Sequence, residues 1–200
     1  MSSPAARRFE AARRRAAVLH DVAGDRRLRP QNDSEREALC HAHLAAVAAA
    51  WNGYIVNLTR DYVPATAKPM DVPYSANHTL VTTLLDRALR KFNTPNAENT
   101  RELLTLYTGY DPINDWIWPE RGLGGVQVRA RLNEIFKVRH SFAHGYPIPA
   151  LTWTQSSSGK VMLTKTASRM SEAFFANLVR RTDRGLRSYI KTIHGIDPWP

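Results

Sequence analysis

Apolar residues return every three or four positions along most of this chain, the spacing that gathers them on one face of an α-helix. Leu44, Val47, Trp51, Tyr54 and Leu58 step by three and four in turn, and Ser34 with Glu37 has the form of a capping box just ahead of them. The pattern predicts a helix over roughly residues 35–61. Pro64, Pro69 and Pro73 mark the next stretch as a loop. Leu80, Val81, Leu84, Leu85, Ala88, Leu89 and Phe92 then make the core face of a helix running from about Asn77 to Phe92, with Asp86, Arg87, Arg90 and Lys91 opposite.

Asn93-Thr94-Pro95-Asn96 breaks that helix. Asn99 with Glu102 can cap a short third one, whose core residues are Leu103, Leu104 and Tyr107 and whose end is Gly109. Asp111-Pro112 turns the chain into Trp116-Ile117-Trp118, which reads as a lid over a bundle end or as a platform on which bases stack. After Gly124-Gly125 another helix carries Val128, Leu132, Ile135, Arg139 and Phe142 on one stripe and stops at Gly145, with Pro147 beyond it. Residues 151–165 change to a period of two: Leu151 and Trp153 alternate with threonines, and Val161 and Leu163 come after a Ser/Gly turn, so a small β-hairpin is expected. A last helix from about Ala167 turns Phe175, Leu178, Val179, Leu186, Tyr189, Ile190 and Ile193 inward and ends at Gly195. The pattern predicts an all-α protein, an up-and-down helical bundle of four to five helices with the hairpin before the last helix.

Composition narrows the class. Two hundred residues with 43% apolar and 23% charged content suit one compact globular domain. No window approaches the ~18 apolar residues of a membrane span, and the N-terminal sequence lacks an apolar signal core, so a cytoplasmic protein is expected. Cys40 is the only cysteine, which excludes an intrachain disulfide framework and a cysteine-based zinc site. The formal charge of +10 and pI near 10.2 point to a polyanionic partner such as RNA. Residues 1–30 hold eight arginines against three acids, half of that surplus. Ala5, Phe9, Ala12, Ala16 and Leu19 recur there at helical spacing, so residues 1–30 are expected to form a basic helical extension to a domain over 31–200. Such a helix could grip RNA or pack on the domain.

Arg139 stands where its stripe calls for an apolar side chain. A buried, unpaired guanidinium is costly, so this position must face a cleft, an anion or a partner chain. His144 comes five residues later, and His140 lies between them. Arginine offers a planar fork of donors that fits a phosphate, and histidine exchanges a proton near neutral pH; RNA cleavage without a metal needs both. The same residues also suit an ordinary helix end, where cations complement the macrodipole. On an ideal helix an i,i+5 pair is ~140° apart around the axis, so the two side chains do not meet unless the helix end relaxes or the arginine reaches around; a second copy related by a two-fold axis would bring two arginines and two histidines around one groove. His140 and His144 have an i,i+4 spacing that can hold zinc. No neighbouring Glu or Cys completes a site and Arg139 would repel the ion, so no metal or other cofactor is expected. Arg129, Arg131 and Lys137, earlier in the helix, are candidate phosphate contacts or a solvated basic face. His41 and His43, on opposite sides of their helix, suit structural roles.

The run Val138-Arg139-His140-Ser141-Phe142-Ala143-His144-Gly145 resembles the signature of the HEPN superfamily, in which an arginine and a polar residue precede a histidine by four to six positions near a helix end. Over most of residues 35–195 the chain is most similar to the RiboL-PSP-HEPN group. Ala49-Ala50-Trp51-Asn52-Gly53-Tyr54 resembles that group's first long helix and Phe92-Asn93-Thr94-Pro95-Asn96 its turn, with Trp116-Ile117-Trp118 and Phe174-Phe175 in matching order. Asn52 stands where similar sequences often carry a glutamate. The resemblance implies a metal-independent endoribonuclease working as a homodimer, a toxin or defence effector that an antitoxin or other partner could regulate. In it His144 would be general acid or base, Arg139 would hold the phosphate, and His140 would orient it or share proton transfer. It also leaves open a catalytically inactive module for RNA binding, dimerisation or scaffolding.

Overall fold

A computed structural model describes residues 2–24, 27, 32–68, 72–156 and 158–199. Among them are six α-helices: α1 Pro4–Gly24, α2 Asp33–Ala65, α3 Val72–Lys91, α4 Ala97–Thr108, α5 Gly125–Ala143 and α6 Lys165–His194. No helix among the described residues is long and apolar enough to cross a membrane. Pro69, Ser157, Asp25, Arg26, Arg29 and the boundary expected at residue 30 lie outside the described residues.

Helix α2 is the spine, because the three-four pattern buries Leu44, Val47, Trp51, Tyr54, Ile55 and Leu58 almost completely. Its start differs from expectation: Asn32 is the cap, its side chain accepting from the Glu35 amide, two residues ahead of Ser34. Glu37 faces elsewhere, accepting a hydrogen bond from the Leu163 amide at 3.3 Å. Pro64 lies inside the last turn of α2, and Pro73 lies in the first turn of α3, where a missing N–H removes no intrahelical bond. Both prolines therefore sit within helices that extend further than the periodicity predicts.

Cross-helix contacts give the directions. Helix α6 runs parallel to α2, since Ser168 meets Cys40, Tyr54 meets Val179 and Tyr62 meets His194. Helix α1 runs against both: Ser3 bonds Asp183, Arg8 faces Asp61, and His20 packs on His43. Helix α5 is also antiparallel, with Phe136 on Phe175 and Phe142 on His41. The C-terminal ends of α1 and α5 thus share one end of the bundle with the N-terminal ends of α2 and α6.

Trp51 sits at the centre, its ring 5.6–6.2 Å from those of Tyr54, Phe175 and Trp116, and its indole N–H donates to the Pro95 carbonyl at 2.9 Å. Trp116 is fully buried and donates to Thr182 Oγ1, and Trp118 is buried as well, so this aromatic run is core and cannot stack on bases. Ala5, Phe9 and Ala16 of α1 enter the same apolar cluster.

Three expectations are corrected. Leu80, Val81 and Leu84 are 40–59% exposed, because α3 meets the bundle along a narrow line through Leu85 and Leu89. Ile193, in the last turn of α6, is 60% exposed, beyond the packing of the other helices. The β-hairpin is absent among the described residues, leaving an isolated bridge between Gln155 and Val161. Buried Thr154 explains this: its hydroxyl donates to the Pro149 carbonyl and accepts from the Leu151 amide, curling 149–154 into a turn before a first strand can form.

Candidate active site at the C-terminal end of α5

Val128, Leu132, Ile135, Phe136 and Val138 bury one side of α5 and so determine which side chains its last turns present to solvent. The helix ends in a Schellman motif. Gly145 adopts φ +69°, its amide bonds the Phe142 carbonyl at 3.2 Å, and the Tyr146 amide bonds the Ser141 carbonyl at 2.8 Å. His144 is the C-cap, its amide bonded to the His140 carbonyl. A left-handed glycine was legible as a helix stop; that it folds Tyr146 back over the preceding turn was not.

The result is an exposed group of three rings. His140 and His144 lie with ring centroids 4.3 Å apart, and the 61%-exposed Tyr146 stacks on His144 at 6.0 Å and lies 6.2 Å from His140. All three are reachable from solvent. Lys137, also exposed, is on the same face about two turns before His144. Arg139 is half-buried at the edge of the core face, and no hydrogen bond or ion pair engages it among the described residues. The apolar stripe is thus interrupted at Arg139 by a guanidinium without a partner among the described residues. On ideal helix geometry the two positions are ~140° apart, which sets Arg139 and His144 of one chain on different sides.

Phe142 completes the stripe differently from expectation. It is 46% exposed, yet one face stacks on buried His41 with centroids 4.0 Å and planes 4° apart. Burial holds the His41 imidazole below its ordinary range, against the opposing pull of Glu37, so a neutral ring anchors the motif end of α5 to α2. His43, one residue past Ala42, points to the other side of α2, as the alternation implies.

The three candidate phosphate contacts do not form one patch. Arg131 lies 4.9 Å over the Trp153 ring and 3.9 Å from Glu134, which accepts from the Trp153 indole; burial lowers its pKa. Arg131 is therefore occupied in tying the 149–154 turn to α5. Arg129 is half-buried and its charge acts on Asp111, the partner of Arg101. Only Lys137 shares the face of the histidines. No third ligand joins His140 and His144 among the described residues; the one group of potential metal ligands there is His20, His43 and Glu172.

Comparison with protein-family models, with curated proteins and with solved structures found no match. The residues themselves set the chemistry open to this arrangement: two solvent-facing imidazoles able to give and take protons, a phenol beside them, and an arginine free to receive an anion.

Proposed function

We propose that this protein is a metal-independent endoribonuclease of HEPN type that works as a homodimer. The observation that carries the reading is the pairing of exposed His140 and His144 at one helix end with Arg139, which has no partner among the described residues. A two-fold axis near that end brings a guanidinium from one copy towards the imidazoles of the other, which overcomes their divergence within a chain. One histidine takes the proton of the RNA 2′-hydroxyl, whose oxygen forms a bond to the adjacent phosphorus. The bond from phosphorus to the 5′-oxygen breaks, and that oxygen takes up a proton from the other histidine. The products are a 2′,3′-cyclic phosphate and a 5′-hydroxyl. Arg139 holds the phosphate and balances charge building on its oxygens. Lys137 lies closest to the face along which RNA approaches. A role as a toxin or defence effector, and regulation by an antitoxin, belong to this reading through the family resemblance.

The second reading is a catalytically inactive module that binds RNA or scaffolds a dimer. Asn52 favours it, standing where similar sequences often carry a glutamate, its Oδ1 buried and without a partner among the described residues.

Labelled RNA incubated with the purified protein in EDTA separates the two. Cyclic-phosphate ends are expected from the wild type, and His144→Ala and Arg139→Ala each reduce their formation on the order of a hundredfold or more. Mixing the two variants restores part of the activity when the residues act across an interface. RNA binding without cleavage by any form overturns the enzyme in favour of the silent module, and no affinity for RNA even at low salt leaves the scaffold alone.

A further inference from the structure

On the far side of α2 from Phe142, His20 of α1, His43 of α2 and Glu172 of α6 bring three ligand atoms within 4.8 Å of one another. Both imidazoles are buried, at 4% and 1% exposure, and the Nε2 of each has no hydrogen-bond partner among the described residues. Neighbouring contacts decide how His43 carries its proton. Ser168 Oγ donates to the Cys40 carbonyl at 3.1 Å and lies 2.7 Å from His43 Nδ1. A hydroxyl has one hydrogen, so with it committed to Cys40 the hydrogen in the second contact comes from Nδ1, and His43 Nε2 keeps a lone pair. That lone pair lies 3.3 Å from Glu172 Oε2, without the direction of a hydrogen bond. The other Glu172 oxygen is held by Arg13, which Glu10 also binds. Two buried ring nitrogens without a hydrogen-bond partner among the described residues and a carboxylate oxygen from a third helix therefore face one point, an arrangement that a cation would satisfy.

We propose that His20, His43 and Glu172 bind a divalent first-row transition metal ion, Zn²⁺ being the best suited, which clamps α1 to α2 and α6. Two imidazoles and a carboxylate suit zinc rather than magnesium or calcium, which take oxygen ligands. The 3.3 Å separation of His43 Nε2 and Glu172 Oε2 matches two donors each ~2.0 Å from a tetrahedral ion. His20 supplies the third ligand atom within 4.8 Å of the other two, and a water can complete four-coordination. Ser168 behind His43 and Arg13 behind Glu172 orient the ligands from outside, as such partners do in metal sites. Burial keeps both histidines in the neutral, ligating form, pushing His20 down to about 4. Arg169 acts on both rings and Lys165 on His20, and these charges offset part of the affinity. The clamp is independent of the nuclease reading, since α2 separates it from Phe142 and the motif.

Full-length protein stripped with a chelator and titrated with Co²⁺ is expected to develop the visible absorption of a low-coordinate site at one equivalent. Zn²⁺ should displace the cobalt, and the melting temperature should rise with either metal. His43→Gln and Glu172→Gln should abolish the site, Ser168→Ala should weaken it about ten- to a hundredfold, and a His140→Ala/His144→Ala double variant should keep it. Circular dichroism confirms that each variant is folded, and the wild-type titration is decisive if one is not. Wild type that takes up no stoichiometric Co²⁺ overturns the proposal, as does uptake that survives His43→Gln or disappears in the double variant.

Discussion

Gly185 is the position where two physical effects oppose each other most openly. It lies in the middle of α6, where Ala is favoured over Gly by about 0.8–1.0 kcal/mol on helix propensity alone. A Cβ at this position, however, would lie 2.0 Å from Tyr110 Oη and 2.2 Å from Asp115 Oδ2. Those two groups are bonded to each other at 2.6 Å, and Tyr110 is only 5% exposed, so neither swings away freely. Separating the pair costs about 1–3 kcal/mol for the buried hydrogen bond, and forcing a methyl group into the contact costs about 1–3 kcal/mol more. Taking the middle of each range and subtracting the gain in propensity, Gly185→Ala destabilises by about 3 kcal/mol, roughly 6–12 °C in melting temperature for a chain of this size. Urea denaturation and thermal melts measure it. Adding Tyr110→Phe to the alanine background removes the nearest clashing atom and should recover part of the loss as a coupling energy between the two sites. The segment 110–118 carries Trp116 into the core and leads to α5, so Gly185 also governs how the motif helix is seated. A Gly185→Ala protein more stable than wild type would refute this reasoning, for it would mean that helix propensity wins because the loop does not rest on α6.

Three further outcomes are expected. Trp51→Phe leaves the Pro95 carbonyl without its donor and should cost about 1–3 kcal/mol in chemical denaturation, whereas Leu106→Ala, at a 69%-exposed position, should stay within about 0.5 kcal/mol of wild type. Phe142→Ala removes the ring stacked on His41 and should destabilise by about 1 kcal/mol, read from the shift in denaturation midpoint; no shift would show that the stack does not hold the end of α5. Burial, with Lys68 nearby, holds His194 below its ordinary value, so the unfolded chain protonates first. Its contribution is complete above about pH 6.5 and fades as pH falls, and His194→Gln should flatten that part of a stability profile taken from pH 8 to 5.

The helical periodicity carried most of the architecture. Leu44 through Leu58, Val128 through Ile135 and Phe175 through Ile190 face inward as their spacing requires, because a helix turns a fixed angle per residue and burial selects one face. The misreadings have local causes. Leu80, Val81 and Leu84 have core spacing but no neighbour among the described residues covers them. Leu151 and Trp153 alternate like a strand, but the hydroxyl of Thr154 bends the backbone first.

At the candidate site, the order of residues alone established that a cation and two imidazoles end a helix that glycine stops, since that depends only on neighbours in the chain. The packing of the bundle settled what those groups meet: Arg139 half-buried and without a partner among the described residues, Phe142 on His41, Tyr146 folded back beside the histidines. It also gathered His20, His43 and Glu172. Nothing in the spacing of those three residues announces a shared point, because they come from three helices, and only the way those helices pack brings them together.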